Sequence, residues 1–581
     1  MMLKPWYVAV LLGSASLVNA HAQQVAEKKA EKVAEQRVVV AGQRNASEWF
    51  RVESQHFVVY SNTSNDDVAV LLNQLERLDY MLRIYTQPFL KTTGAEQRLT
   101  FYYHDGAVEL NALGVGQPAN AIGLYSSCNA GVQGFGVQLD PSDESLSYLY
   151  EAYTRHFLYR YTDIRAPISF IDGLAHYFAS ARFTDTQMII GKTPLNVGRY
   201  WYFLDQGRRY SLDYKDVLEQ NDSRGVNYAA TAGLKLEFAA RSWLLTHYML
   251  STEDTRKRMT SYLSAVYRDV PITQAFEEAF GVKLADLGTT LWRYRRQAIK
   301  VMTVDVPELP LARMEFKSLP QSSGEFVLAE AALKSCPDRK EGEALLRRVA
   351  AEAARYPAND YAQRVLSRAQ IDWGNPQDAL PYLNTAANKP DAEVLYLLGQ
   401  AHLRLSQLDA ARSNLDRALA LNPKSAEASH ALFLTGLQSS GTPDEATLQA
   451  AISAWKSAHE VNTLARQAAL AYAYAGDHAR ARNALKLMAH NIREPELSAW
   501  AKTWLGKVAA GASKPELLAE MRKQPATGTT FREWTIANAR VMQDVERSAG
   551  MQDARGHMDQ ALNPSNPAPT LPSAPYSPQT R

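Results

Sequence analysis

Residues 392–425 read AEVLYLLGQAHLRLSQLDAARSNLDRALALNPKS. Leu395, Leu398, Gly399 and His402, then Ala411, Leu415 and Ala418, fall at the spacing of two antiparallel helices. Small residues stand where such helices cross closely, and Pro423 marks the turn into the next unit. One helix pair cannot bury its apolar face alone, so neighbouring copies are required.

Those copies are present. DYAQRVLSRAQIDWGNPQDALPYLNTAANKP (360–390) keeps Leu366, Ala379, Leu383 and Ala386. TLARQAALAYAYAGDHARARNALKLMA (463–489) keeps Ala469, Tyr472, Ala481 and Leu485, and fainter copies lie at 341–357 and 426–455. At about 34 residues per unit, the series resembles the tetratricopeptide repeat. The resemblance implies an all-α solenoid over 326–545 whose surface receives protein or peptide partners. Bracing of the preceding domain is the other role open to it.

Upstream, TVDVPELPLARMEFKSLPQSSGEF (303–326) is punctuated by proline and lacks periodicity, which predicts a linker at 303–325. Before it, WFRVESQHFVVYSN (49–62), RLTFYYHD (98–105) and GLYSSCNAGVQGFGVQLD (123–140) predict strands, with His104 and Asp105 in a turn. Val68, Leu71, Leu72, Leu75, Leu78, Leu82 and Tyr85 predict a helix, as do Leu146, Leu149, Tyr150, Tyr153 and Phe157 within 143–161. Helices continue to about residue 300, so 46–302 is expected to be an α+β domain.

A chain of 581 residues exceeds one hydrophobic core. Its near-balanced charge of +2 and the lack of a basic stripe argue against a nucleic-acid partner. The opening MMLKPWYVAVLLGSASLVNAHAQQ has a basic residue, a short apolar run and small residues at Val18 and Ala20. That predicts a signal peptide over 1–22, cleaved after Ala20 or Ala22, with an uncleaved anchor as the alternative. Export to a bacterial periplasm or cell envelope follows. A charged spacer at 23–45 and a Pro/Ser/Asn-rich, disordered tail at 546–581 complete the chain. Cys128 and Cys336 are far apart in sequence and in separate predicted domains, so no bridge is expected.

The stretch EAYTRHFLYRYTDIRAPISFIDGLAHYFAS (151–180) carries the chemistry. Together with WFRVESQHFVVYSN, FAARSWLLTHYML and AFEEAFGVKL in the same order, it resembles the peptidase-MA-like branch of the gluzincin metallopeptidases. Active members of that family hold zinc with two histidines one helical turn apart in HExxH, a neighbouring glutamate as base, and a third ligand from the next helix. Here Glu151 and Arg155 stand at the histidine positions, Ala152 at the base, and Asp172 at the third ligand; Ser169 replaces the family's tryptophan. A register slipped by one makes Glu151 the base but puts Tyr150 and Thr154 at the ligand positions.

Neither register supplies a zinc pair. Losing even ~4 kcal/mol of ligand energy weakens binding about a thousandfold, and Ala152 cannot accept a proton. The sequence therefore predicts no catalytic residue, no cofactor and no metal. In their place it predicts a clasp in which Arg155 sits between Glu151 and Asp172. The competing expectation is that Glu151 and Arg155 are a solvated helix pair. His156 and His176 are candidate binding residues. Under the alternative of an active zinc peptidase with a non-standard site, they would join Asp172 as ligands. The expected function is non-catalytic binding of protein or peptide partners; a glycan groove lined by Tyr148, Tyr150, Tyr153, Tyr159 and Tyr161 is a third option.

Overall fold

A computed structural model describes residues 46–536, except 91–97, 107–109, 111–112, 115–120, 139–142, 163–165, 195–196, 199, 202–211, 220–231, 269, 298, 307–308, 440, 490–493 and 524–530. The expected signal peptide, spacer and tail lie outside the described residues.

The chain opens with strands β1 (Ala46–Glu53) and β2 (Phe57–Ser61), helix α1 (Asn65–Thr86) and strand β3 (Leu99–His104). A hairpin of β4 (Ala121–Cys128) and β5 (Gly131–Val137) follows, then α2 (Asp143–Tyr161) and α3 (Ile168–Ala179). Next come β6 (Arg182–Phe183), β7 (Gln187–Ile190), α4 (Tyr214–Glu219), α5 (Ala232–Leu250), α6 (Glu253–Tyr267), α7 (Ile272–Phe280) and α8 (Leu284–Arg296). Strands β8 (Met302–Asp305) and β9 (Glu315–Pro320) precede the helical repeats.

β9 falls within the segment expected to be a linker, 303–325, and β8 overlaps its first residues. β8 pairs with β7 in a three-stranded sheet, and β9 pairs antiparallel with β1 at the edge of the main sheet. The segment expected to be a linker thus carries two paired strands. β9 is largely exposed and joined through its backbone, so it needs no apolar alternation and leaves none in the sequence.

The repeats run through α9 (Ser323–Leu333), α10 (Arg339–Ala353), α11 (Asp360–Trp373), α12 (Leu380–Ala386), α13 (Ala392–Arg404) and α14 (Leu408–Leu421). They continue with α15 (Ala426–Ser439), α16 (Glu445–Ser457), α17 (Asn462–Tyr474), α18 (His478–Ala489), α19 (Pro495–Ala509) and α20 (Lys514–Arg522). In the pair α13–α14 a Cβ at Gly399 would come within 2.7 Å of Leu415 and 3.3 Å of the Ala411 carbonyl oxygen. The small residue permits that crossing. Residues 531–536, expected within the solenoid of 326–545, instead form a last strand, β10 (Phe531–Ile536), which returns to the first sheet.

That sheet has seven strands in the order β10-β4-β5-β3-β2-β1-β9. Its strands alternate between two buried faces. Phe57, Val59, Leu99 and Phe101 pack with Leu72 and Leu75 of α1 and Tyr153 and Phe157 of α2. On the other face Tyr102, Leu124 and Phe135 pack with Phe326, Val327, Leu345 and Val365 of α9, α10 and α11. Across that face Tyr60, Tyr102, Phe135 and Leu124 stand in register, with ring centroids 5.3 Å and 4.9 Å apart for the first two contacts. The first repeat helices thus form a layer of the sheet domain, not a separate unit. His104, expected in a turn, ends β3 instead, fully buried between Trp49 and Phe135.

Cys128 and Cys336 form a disulfide with 6.2 Å between Cα atoms, correcting the expectation of unpaired cysteines. The shared core brings the end of β4 against the exit of α9, a proximity that sequence distance concealed. Closing so long a loop constrains the unfolded chain. Cys128→Ser is expected to lower unfolding free energy by about 2–5 kcal/mol. Urea melts with and without reductant check this: reductant should shift the unmodified chain to the variant's curve and leave the variant unchanged.

Candidate functional site

Helix α2 presents two faces. Tyr150 and Tyr153 turn toward α1, their hydroxyls donating to Gln74 Oε1 at 3.0 Å and Asp79 Oδ1 at 2.7 Å. Tyr150, Tyr153 and Tyr161 are core residues, and Tyr148 and Tyr159 lie at its rim; Tyr148 and Tyr153 also line an apolar cavity between α2 and the sheet. Glu151 and Arg155 point elsewhere, toward α3.

α3 is buried along its whole length. Gly173 lets it lie on α5, since a Cβ there would be 2.0 Å from Thr246 Oγ1 and 2.5 Å from the Ser242 carbonyl oxygen. This crossing fixes Asp172 and His176 opposite α2. Arg155 donates through Nη2 to Glu151 Oε1 at 2.5 Å and through Nε to Asp172 Oδ1 at 2.9 Å. The three side chains are 9–16% exposed. His176 Nδ1 lies 3.2 Å from Glu151 Oε2, close enough for an ion pair but not aligned for a hydrogen bond.

The alternative of a solvated helix pair is corrected, because the packing of α3 shields both groups. Burial opposes the charge on Glu151, but Arg155 and His176 outweigh it and hold the carboxyl well below the usual range. Burial likewise opposes the Arg155 charge, and Glu151, Asp172 and Glu533 raise its pKa.

This donor set does not fit zinc. A guanidinium, which cannot lose its proton, lies between the two carboxylates where an ion would need them, and Ala152 offers no base. His156 does not join the group. It is buried on the sheet side, with Nδ1 3.1 Å from the Tyr125 hydroxyl, and helps line an apolar cavity with Phe101, Tyr125 and Phe135. His156, His176 and Asp172 therefore do not converge as the alternative metal site required.

A second polar cluster, with no recognisable motif in the sequence, lies against α1. His56, Glu76 and Asp79 place potential ligand atoms within 4.8 Å of one another. His56 Nδ1 is 2.6 Å from Glu76 Oε2, and Arg83 donates to Asp79 at 2.5 Å while stacking over Tyr161 at 5.0 Å. Two carboxylates, an arginine and an imidazole neutralise one another, so the cluster holds β2 to α1 and α2. Glu76, Asp79 and Arg83, at helical spacing among buried leucines, were the available signal.

The hairpin β4–β5 meets the first helices of later repeat pairs. Asn129 contacts His430 of α15 at 3.4 Å and Thr463 of α17, and Ser127 donates to the Glu460 carbonyl oxygen at 3.3 Å. Arg160, at the end of α2, donates to Glu460 at 2.9 Å. Farther along, Arg368 of α11 bridges Glu393 of α13 and Glu427 of α15, each at 2.8 Å. Part of the repeat surface is thus taken up by the chain's own first domain, as the bracing role required.

The tetratricopeptide-repeat family model matches residues 392–425, which is the pair α13–α14. No curated protein and no solved structure matches the chain. The repeat points to protein–protein interaction; the metallopeptidase resemblance rests on the sequence elements quoted above. Among the described residues no helix is long and apolar enough to cross a membrane.

Two outcomes follow. Arg155→Met leaves Glu151 and Asp172 buried without their cation and is expected to cost about 3–5 kcal/mol in chemical denaturation, with Arg155→Lys only partly restoring it. Burial alone lowers the His104 pKa to about 3, while the unfolded chain titrates near the usual 6.5. Protons then favour the unfolded state, so this residue's contribution is whole above pH 6.5 and declines as pH falls toward 3. His104→Phe should lose less stability than the unmodified chain between pH 7 and 4.5, measured by urea midpoints.

Proposed function

We propose that this chain is an exported, non-catalytic protein of metallopeptidase-like build that binds protein or peptide partners in the cell envelope. The observation that carries the non-catalytic part is the shielded Arg155 held by Glu151 and Asp172. A fixed cation in that place preserves the clasp between α2 and α3 and repels a divalent ion. The tetratricopeptide match supports a role in partner binding. Export is supported by the N-terminal pattern and by the Cys128–Cys336 disulfide, a bond that persists in oxidising compartments.

An active zinc peptidase with a non-standard site is the competing function, and neither the Arg155 environment nor the separation of His156 from His176 favours it. The decisive experiment is metal analysis of the purified full chain together with peptide hydrolysis in added zinc, with and without chelator. Zinc well below one per chain and no hydrolysis are expected; stoichiometric zinc with chelator-sensitive cleavage would overturn the proposal. The joint variant Glu151→His, Ala152→Glu, Arg155→His, Asp172→Glu should gain zinc binding if the family register is right. In-cell cross-linking of the full chain, with fractionation of the source cells, tests for an envelope partner.

A further inference from the structure

Without β10, strand β4 would be the edge of the main sheet. A free edge presents a row of unpaired N–H and C=O groups and invites another strand. Every other strand of the sheet lies between residues 46 and 320, whereas its cover arrives after the whole repeat array. β10 runs antiparallel to β4 from Phe531 opposite Ser127 to Ile536 opposite Ala121. The two strands are joined by a backbone ladder, a mode of attachment that is tolerant of sequence.

Two charged side chains add to it. Arg532 donates to Glu341 Oε2 at 3.0 Å and to the carbonyl oxygens of Ser335 and Cys336 at 3.3 and 3.0 Å. Glu533 stands opposite Tyr125, and residues paired across a ladder share a face. The Tyr125 hydroxyl meets His156, the residue after Arg155, so Glu533 lies on the α2 side and adds its negative charge to the field around the guanidinium. The edge therefore reads a basic residue on one face and an acidic residue on the other.

We propose that the outer edge of β4 is a docking edge for an extended protein segment carrying a basic residue followed by an acidic one, and that residues 531–536 occupy it in cis until a partner strand displaces them. This deepens the partner-binding function above and rests on it only for the existence of a partner. The occupant is recognised by its backbone and by the charge pair, and the chain's own FREWTI is its template.

The probe is the labelled peptide TTFREWTIAN, residues 529–538, titrated against two full-length proteins. One is unmodified; the other carries Glu533→Pro and Trp534→Pro. Adjacent residues of an antiparallel strand alternate in bonding the partner, so one of the two prolines removes a ladder donor. Binding to the variant is expected to be at least ~tenfold tighter than to the unmodified chain, and a peptide with Glu533→Lys should lose ~tenfold on the variant. Equal affinity for both chains, or no saturable binding to the variant, overturns the proposal. Hydrogen exchange on the unmodified chain is independent of whether the variant folds. Amides of 531–536 should exchange faster than those of β3 and β5, and exchange in step with those strands counts against displacement. Neither measurement involves a physiological partner, so failure here leaves the cross-linking test of function intact.

Discussion

A guanidinium shielded from water must be compensated, and at Arg155 the compensation comes from two different helices. Glu151 lies one turn earlier on α2, while Asp172 lies on α3, whose position is set by the crossing at Gly173. Removing either carboxylate strands a charge, so the pair of helices is held in one arrangement. The interaction also sets the electrostatics of the site, because a cation that does not lose its proton holds the space between the two carboxylates.

The second constraint is the sheet, whose two faces both require cover. α1 and α2 supply one layer, and the first repeat helices supply the other. A solenoid that begins as a layer of the preceding domain cannot swing freely, and the disulfide, the Arg160–Glu460 pair and the Asn129 contacts fasten it further along. Partner binding and internal bracing are therefore compatible: the inner contacts position the array, and repeat surface outside those contacts remains for recognition.

Much of this was legible. The repeat period named α13–α14 and placed its neighbours, because each helix pair stabilises itself through contacts close in sequence. The apolar stripes of α1 and α2 were read correctly for the same local reason. The placement of Glu151 and Arg155 away from the Tyr150 stripe also follows from helical geometry. Less legible were β9 and β10, whose partners lie hundreds of residues away and whose attachment is through backbone that carries no pattern. The bridge between Cys128 and Cys336 was hidden for the same reason, and His104 was misplaced because a buried neutral imidazole looks like a turn residue in sequence.

By itself the sequence determined the helical repeats and the pair of opposite charges, Glu151 and Arg155, one helical turn apart. These depend on side-chain identity and on spacing within one helix. Only the tertiary structure decided that Arg155 reaches Asp172, that His156 turns away to Tyr125, and that the C-terminal strand closes the sheet. Each of those contacts joins segments whose approach is fixed by packing of the shared core, a long-range property that no local pattern encodes.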